Sequence, residues 1–300
     1  SDANRLRVIG QGLPAVSERG LARAVEFGHG RRPAPPAPCS NPVSHAATAP
    51  KTEASKRWHW FRLASPQQFY PLAGRLLPWL WGLAALLALA GLAVGLLIAP
   101  TDFQQGDSYR IIFIHVPAAW MSMLMYVAMA FWAALGLVLN TRLSSMMATA
   151  LAPTGALMTF IALWTGALWG KPTWGTWWVW DARLTSELLL LFLYLGFMAL
   201  QAAADDPRRA DRAGAIVALV GVVNVPIIYF SVQWWNTLHQ GSTINLTRAP
   251  SMASSMLTGL LLMVFAFWVY GIAAALQRVR AIILEREKHT DWVQQLQEAR

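Results

Sequence analysis

Two histidines and a crowd of tryptophans are the residues here whose types and spacing could do chemistry. His115 stands in SYRIIFIHVPAAW and His239 in WWNTLHQGST, and between them runs WGTWWVWDARLTSE at 174–187. Neutral imidazole is the usual proximal ligand of haem iron, and a second on the opposite side of the ring completes six coordination. A single histidine at a helix end would ordinarily be structural and hydrogen-bonded. Two of them flanking an aromatic platform point to metal ligation. The other four, His29, His45, His59 and His289, lie in polar segments without such a setting.

Trp174, Trp177, Trp178 and Trp180 fall within seven residues, with Trp169 just before them. Anchoring at the lipid headgroups needs only one or two rings per helix end, a role that suits Trp164, Trp234 and Trp235. The crowding implies a platform for a large flat apolar ligand, each buried contact contributing ~1.5–3 kcal/mol. A porphyrin fits, as would a quinone or a sterol, and the histidines favour the porphyrin. Arg110 and Arg183 lie near His115 and the platform, and a planar guanidinium pairs well with a carboxylate such as a haem propionate. Lipid phosphate is an equal alternative for Arg110. Asp181 could orient a ligand or Arg183, or cap the helix that follows it.

The remaining composition narrows the chemistry. The single cysteine, Cys39, excludes an internal disulfide, a Cys-x-x-Cys redox pair and a Cys-x-x-Cys-His haem attachment site. GALWGK at 166–171 has the wrong glycine spacing for a phosphate loop and continues with Pro172 where Ser or Thr belongs. The net charge of +9 would suggest nucleic acid in a soluble chain. Here 56% of residues are hydrophobic and 13% charged, which is membrane-protein composition, and the cations sit between apolar runs as topology signals.

Those runs are the elements that must position the site. Six of them, at about 77–98, 115–139, 147–168, 187–204, 214–233 and 255–276, are each near the roughly 20 residues that cross a bilayer as a helix. The fold expected is an all-α integral membrane protein, a six-helix transmembrane bundle with both termini cytoplasmic. Residues 1–57, rich in Pro, Ala, Arg and Ser, form a basic tail expected to be disordered and not a secretory signal. Residues 58–290 form the membrane domain with a Trp-rich loop at 169–186, and 291–300 a cytoplasmic C-terminal tail. Lys56, Arg57, Arg62, Arg75, Arg142, Arg208, Arg209, Arg212, Arg278, Arg280, Arg286 and Lys288 mark one side, against Arg110, Lys171, Arg183 and Arg248 on the other. That bias puts the histidines and the Trp loop outside. Within the bundle, Asn224 with Pro226 should interrupt the fifth helix and Pro153 with Gly155 the third.

WGTWWVWDARLTSE resembles the tryptophan-rich signature of the haem-handling membrane proteins of cytochrome c maturation. IIFIHVPAAW and WWNTLHQGST resemble those of the CcmC branch, over roughly residues 60–290. Related lyase and synthase branches share the WG-x-x-W-x-WD core but typically continue with Pro and an acidic residue, where this chain has Ala182 and Arg183. The N-terminal tail has no counterpart in the branch. The resemblance implies a bacterial inner-membrane protein, not an enzyme, that presents haem b non-covalently and transiently at its periplasmic face. It implies partners too: an ABC transporter pair of the CcmA and CcmB type, a small single-span subunit of the CcmD type, and a periplasmic haem chaperone of the CcmE type that receives the haem. His115 and His239 would be the axial ligands and the tryptophan loop the platform. A cytochrome c synthase is the competing enzyme reading, which the residues after Asp181 oppose. A quinone-reactive membrane cytochrome would place histidine pairs in the middle of the spans, and none is there.

Overall fold

The computed structural model describes residues 65–239 and 252–299. The tail at 1–57 and Arg248 lie outside the described residues. Among the described residues six helices are long and apolar enough to cross a membrane: Pro66–Ile98, Asp107–Leu139, Arg142–Trp174, Ala182–Ala203, Pro207–Trp234 and Ser254–Arg286. Lipid offers the backbone no hydrogen-bond partners, so helices are the form in which these segments satisfy their own amides. No strand is found among the described residues.

The first span is α1 (Pro66–Ala93), begun by Pro66 at the position where a missing N–H costs nothing and prolonged by a wider π turn, Val94–Ile98. A tight turn at Asp107–Ile111 leads into α2 (Ile112–Leu139). Asn140, left-handed at φ 52°, closes α2, and α3 (Arg142–Trp174) follows at once, so the two pack as a hairpin. Gly175, at φ 79°, ends α3 by returning its N–H to the Lys171 carbonyl, the glycine-terminated stop of many helices. Next come α4 (Ala182–Ala203), α5 (Pro207–Gly221), α6 (Asn224–Trp234) and α7 (Ser254–Arg286), and a short α8 (Asp291–Glu298) buries Val293.

In the most apolar stretch of each span, 61% of α3 is buried but only 17% of α1. The α2–α3 hairpin is therefore the centre of the bundle, and α1, lying along α7, its outer wall. Met121, Met125, Met129, Tyr126, Tyr194 and Phe197 fill the core around it. Close approach depends on small residues, as is usual when lipid replaces the hydrophobic driving force. A Cβ on Gly155 would run into the Tyr194 ring, and one on Gly221 into the Tyr126 hydroxyl.

Three expectations are adjusted. Every span reaches beyond its apolar run at one end or both, α4 by starting at Ala182, because polar ends continue to hydrogen-bond as helix. The segment expected as a loop at 169–186 is mostly helical, with only Gly175–Asp181 irregular between α3 and α4. Pro153 and Gly155 do not interrupt α3, which runs unbroken from Arg142 to Trp174. There Gly155 serves packing against α4. The break beside Asn224 is found: the chain turns at Val222 and Val223, and Asn224 Nδ2 donates to the Ser186 carbonyl at 2.8 Å. Both ends of the bundle's chain meet on one side, where the Tyr70 and Trp292 rings lie 6.0 Å apart.

Candidate functional site

At the opposite end, α2, α3, α4 and the chain beyond α6 converge on a cavity of about 500 Å³, part of it open at the mouth. Its polar lining is His115, His239, Arg183 and Glu187, with Trp169 and Trp174 as aromatic walls and Ala119, Ala162, Leu163, Gly166 and Leu184 as apolar filling. The site thus joins residues from 115 to 239.

His115 rides one turn inside α2 and is 8% exposed. Its Nδ1 lies 3.0 Å from the Ala162 carbonyl oxygen and 3.1 Å from Thr165 Oγ1. A carbonyl oxygen only accepts, so Nδ1 carries the hydrogen and Nε2 keeps its lone pair. Thr165 is itself tied to the Ile161 carbonyl at 2.6 Å, which steadies it. Gly166 leaves the ring room, since a Cβ there would stand 3.1 Å from His115 Cε1. An imidazole held by the carbonyl at one nitrogen and keeping a lone pair at the other is the arrangement of a metal ligand. His239, half-buried, faces it with ring centroids 6.1 Å apart and planes inclined by 34°. With metal–nitrogen bonds of about 2 Å on each side, two imidazoles on one iron put their centroids about 6 Å apart.

The two tryptophans of the cavity sit on the last turns of α3. Trp169 stands edge-on to His115 at 5.7 Å and donates Nε1–H to Gln105 at 2.7 Å, while Trp174 lies 6.3 Å from His239. The remaining tryptophans of the run are not among the lining residues. Trp178 packs edge-on against Trp180 at 5.4 Å with its indole N–H enclosed and unpaired, and Trp177 and Trp180 are exposed. Trp164, Trp234 and Trp235 are exposed as well, as suits a belt.

Asp181 caps α4, accepting the Leu184 N–H at 2.8 Å, and its other oxygen is buried without a partner. Arg183 reaches from α4 to α6, donating to the Ile228 carbonyl at 2.7 Å, and also lines the cavity. Arg110 lies elsewhere. Its guanidinium donates to the carbonyls of Gly95 at 2.6 Å and Ala99 at 3.2 Å and pairs with Asp107 at 2.9 Å, fastening the π turn of α1.

A family model described as "Heme exporter protein C" (CcmC) matches residues 59–294. A heme exporter protein C of Escherichia coli K12 is 50% identical over 235 residues, 78% of this chain and 95% of that protein. One of Haemophilus influenzae is 45% identical over 240 residues, covering 80% and 98%, and one of Bradyrhizobium diazoefficiens 49% identical over 225, covering 75% and 85%. The chain belongs to the CcmC family.

The CcmC match holds the whole cavity and leaves the first 58 residues outside it. One cavity residue was passed over in the sequence. Glu187 is 6% exposed, takes the Ser122 hydroxyl at 2.7 Å on one oxygen and leaves the other enclosed and unpaired. The signal was in view, because an acidic residue opening an apolar span is a site hypothesis by default. Arg183 and Glu187, four apart, share a face of α4.

Proposed function

We propose that this chain handles haem in the maturation of c-type cytochromes, holding it at the outer face of the bundle between His115 and His239. The observation that carries the reading is the histidine pair: one imidazole fixed by the Ala162 carbonyl with Nε2 available, the second 6.1 Å away. Among the described residues no three His, Cys, Asp or Glu side chains gather around a common point, so iron would take its protein ligands from these two. Trp169 and Trp174 would hold the porphyrin by apolar contact, and Arg183 would meet a propionate from the cavity wall. The matched residues contain no cysteine, so they form no thioether bond to the cargo, and in this reading the cargo is haem b, held transiently.

Trp177, Trp178 and Trp180, with Asp181 ordering their junction to α4, would form the rim by which the loaded face is read. Arg110 would act from further out, by holding the π turn. The recipient is a periplasmic haem chaperone of the CcmE type, and the companions are ABC transporter subunits of the CcmA and CcmB type and a small CcmD-type subunit. The cation bias puts the site on the periplasmic side of the inner membrane. This is transport and delivery, with no bond made in the cargo by this chain. An optical spectrum of the purified protein tests it: a low-spin haem band expected alone, and its decline on adding the apo-chaperone. A protein that binds haem with no low-spin band, or keeps it in the chaperone's presence, overturns the reading.

A further inference from the structure

At the end of the bundle away from the histidines, one guanidinium is seated like a binding group and lacks an acceptor. Arg280, near the end of α7, lies over the Tyr70 ring with its Cζ 4.3 Å from the centroid. Gly74 of α1 makes the space, for a Cβ there would sit 3.0 Å from Arg280 Cζ and Nη2. Arg280 Nε is enclosed and has no hydrogen-bond partner.

Its neighbours are supplied differently. Arg286 pairs with both oxygens of Asp211 at 2.9 and 3.0 Å, Arg142 meets Glu287 at 3.4 Å, and Arg278 donates to Thr154 at 2.7 Å. No ion pair among the described residues includes Arg280. An aromatic stack holds a guanidinium's plane and leaves its edge for a planar or tetrahedral oxyanion. Arg75, exposed beside Gly74, adds a second positive charge.

Deeper along the same α1–α7 seam the surface is apolar. Trp81, itself exposed, stands edge-on to Tyr270 at 5.5 Å and donates its indole N–H to Gln277 at 2.9 Å. A ligand with an anionic head and apolar chains satisfies both halves, and a free ion only the first. We propose that Arg280 seats the headgroup phosphate of an anionic phospholipid whose chains lie along the α1–α7 seam.

Native mass spectrometry of lipid-stripped protein in detergent tests this with dioctanoyl phosphatidylglycerol, dioctanoyl phosphatidylcholine and inorganic phosphate as probes. One phosphatidylglycerol adduct should survive collisional activation, and R280Q should weaken it about tenfold, as loss of one charge-assisted contact implies. R212Q, which removes an exposed cation at the same end, should leave it unchanged. R280K keeps the charge but loses the stacked plane, so it should weaken the adduct several-fold while the lipid-free protein unfolds at the parent temperature. Equal weakening by R280Q and R212Q would make the attraction diffuse and sink the proposal, as would full retention in R280K. Phosphatidylcholine binding as tightly, or inorganic phosphate displacing the adduct, would remove the anionic lipid as the ligand.

Discussion

His115→Gly and His239→Gly each delete one imidazole and leave the walls of the cavity standing. If the pair holds iron, either variant loses the low-spin haem spectrum, and free imidazole, which fits the hole, restores it. Trp169→Ala combined with Trp174→Ala removes ring contacts instead, so haem occupancy should drop and imidazole should not recover it. An unchanged spectrum in both histidine variants without imidazole would defeat the proposal. The sequence allowed the gathering of His115, His239, Trp169, Trp174 and Arg183 to be anticipated, since their types are unusual for their positions. It did not separate Trp169 and Trp174 from Trp177 and Trp180. That division arises because α3 continues to Trp174 and carries its last two tryptophans to the cavity, whereas the rest follow Gly175. Arg110's partners were equally hidden, as the carbonyls it holds come from a π turn with no composition signature.

Among the elements, α4 depends on its cap. Asp181→Ala removes the acceptor of the Leu184 N–H and should cost about 1 kcal/mol of stability, read as a lower unfolding temperature in detergent. Asp181→Asn, which still caps, should retain most of it. The α3–α4 contact is more demanding. Gly155→Val puts two methyls and a Cβ into the Tyr194 ring, whose hydroxyl is held by the Ser122 carbonyl at 2.8 Å. Overpacking of this kind costs about 1–3 kcal/mol, and thermal unfolding should show a larger loss than for Gly196→Val, where a Cβ meets nothing within 4 Å. Apolar length sufficed to count the spans. Pro153 misled because proline is judged a breaker from its lost hydrogen bond alone, and in a central helix neighbouring helices hold the turn in place.

For the whole molecule the charge bias carries the orientation. Twelve cations against four predict that Thr173 and Ser242 face the periplasm. Single cysteines at these positions, with Cys39 replaced, should react in intact cells with a membrane-impermeant thiol reagent. Labelling that requires broken membranes would invert the topology. Deleting residues 1–57, which precede the family match, should leave the haem spectrum as it was.

The two halves of the histidine pair are mounted unequally. His115 belongs to the central hairpin, wedged by Ala162, Thr165 and Gly166 of α3. His239 follows an eleven-residue helix set off from α5 by the turn at Val222 and Val223, and that helix is joined to α4 through Arg183 and Asn224. A vice has one jaw bolted to the bench. If the pair grips a flat cargo, His115 would hold it from the centre of the bundle, and a recipient would take it from the His239 side.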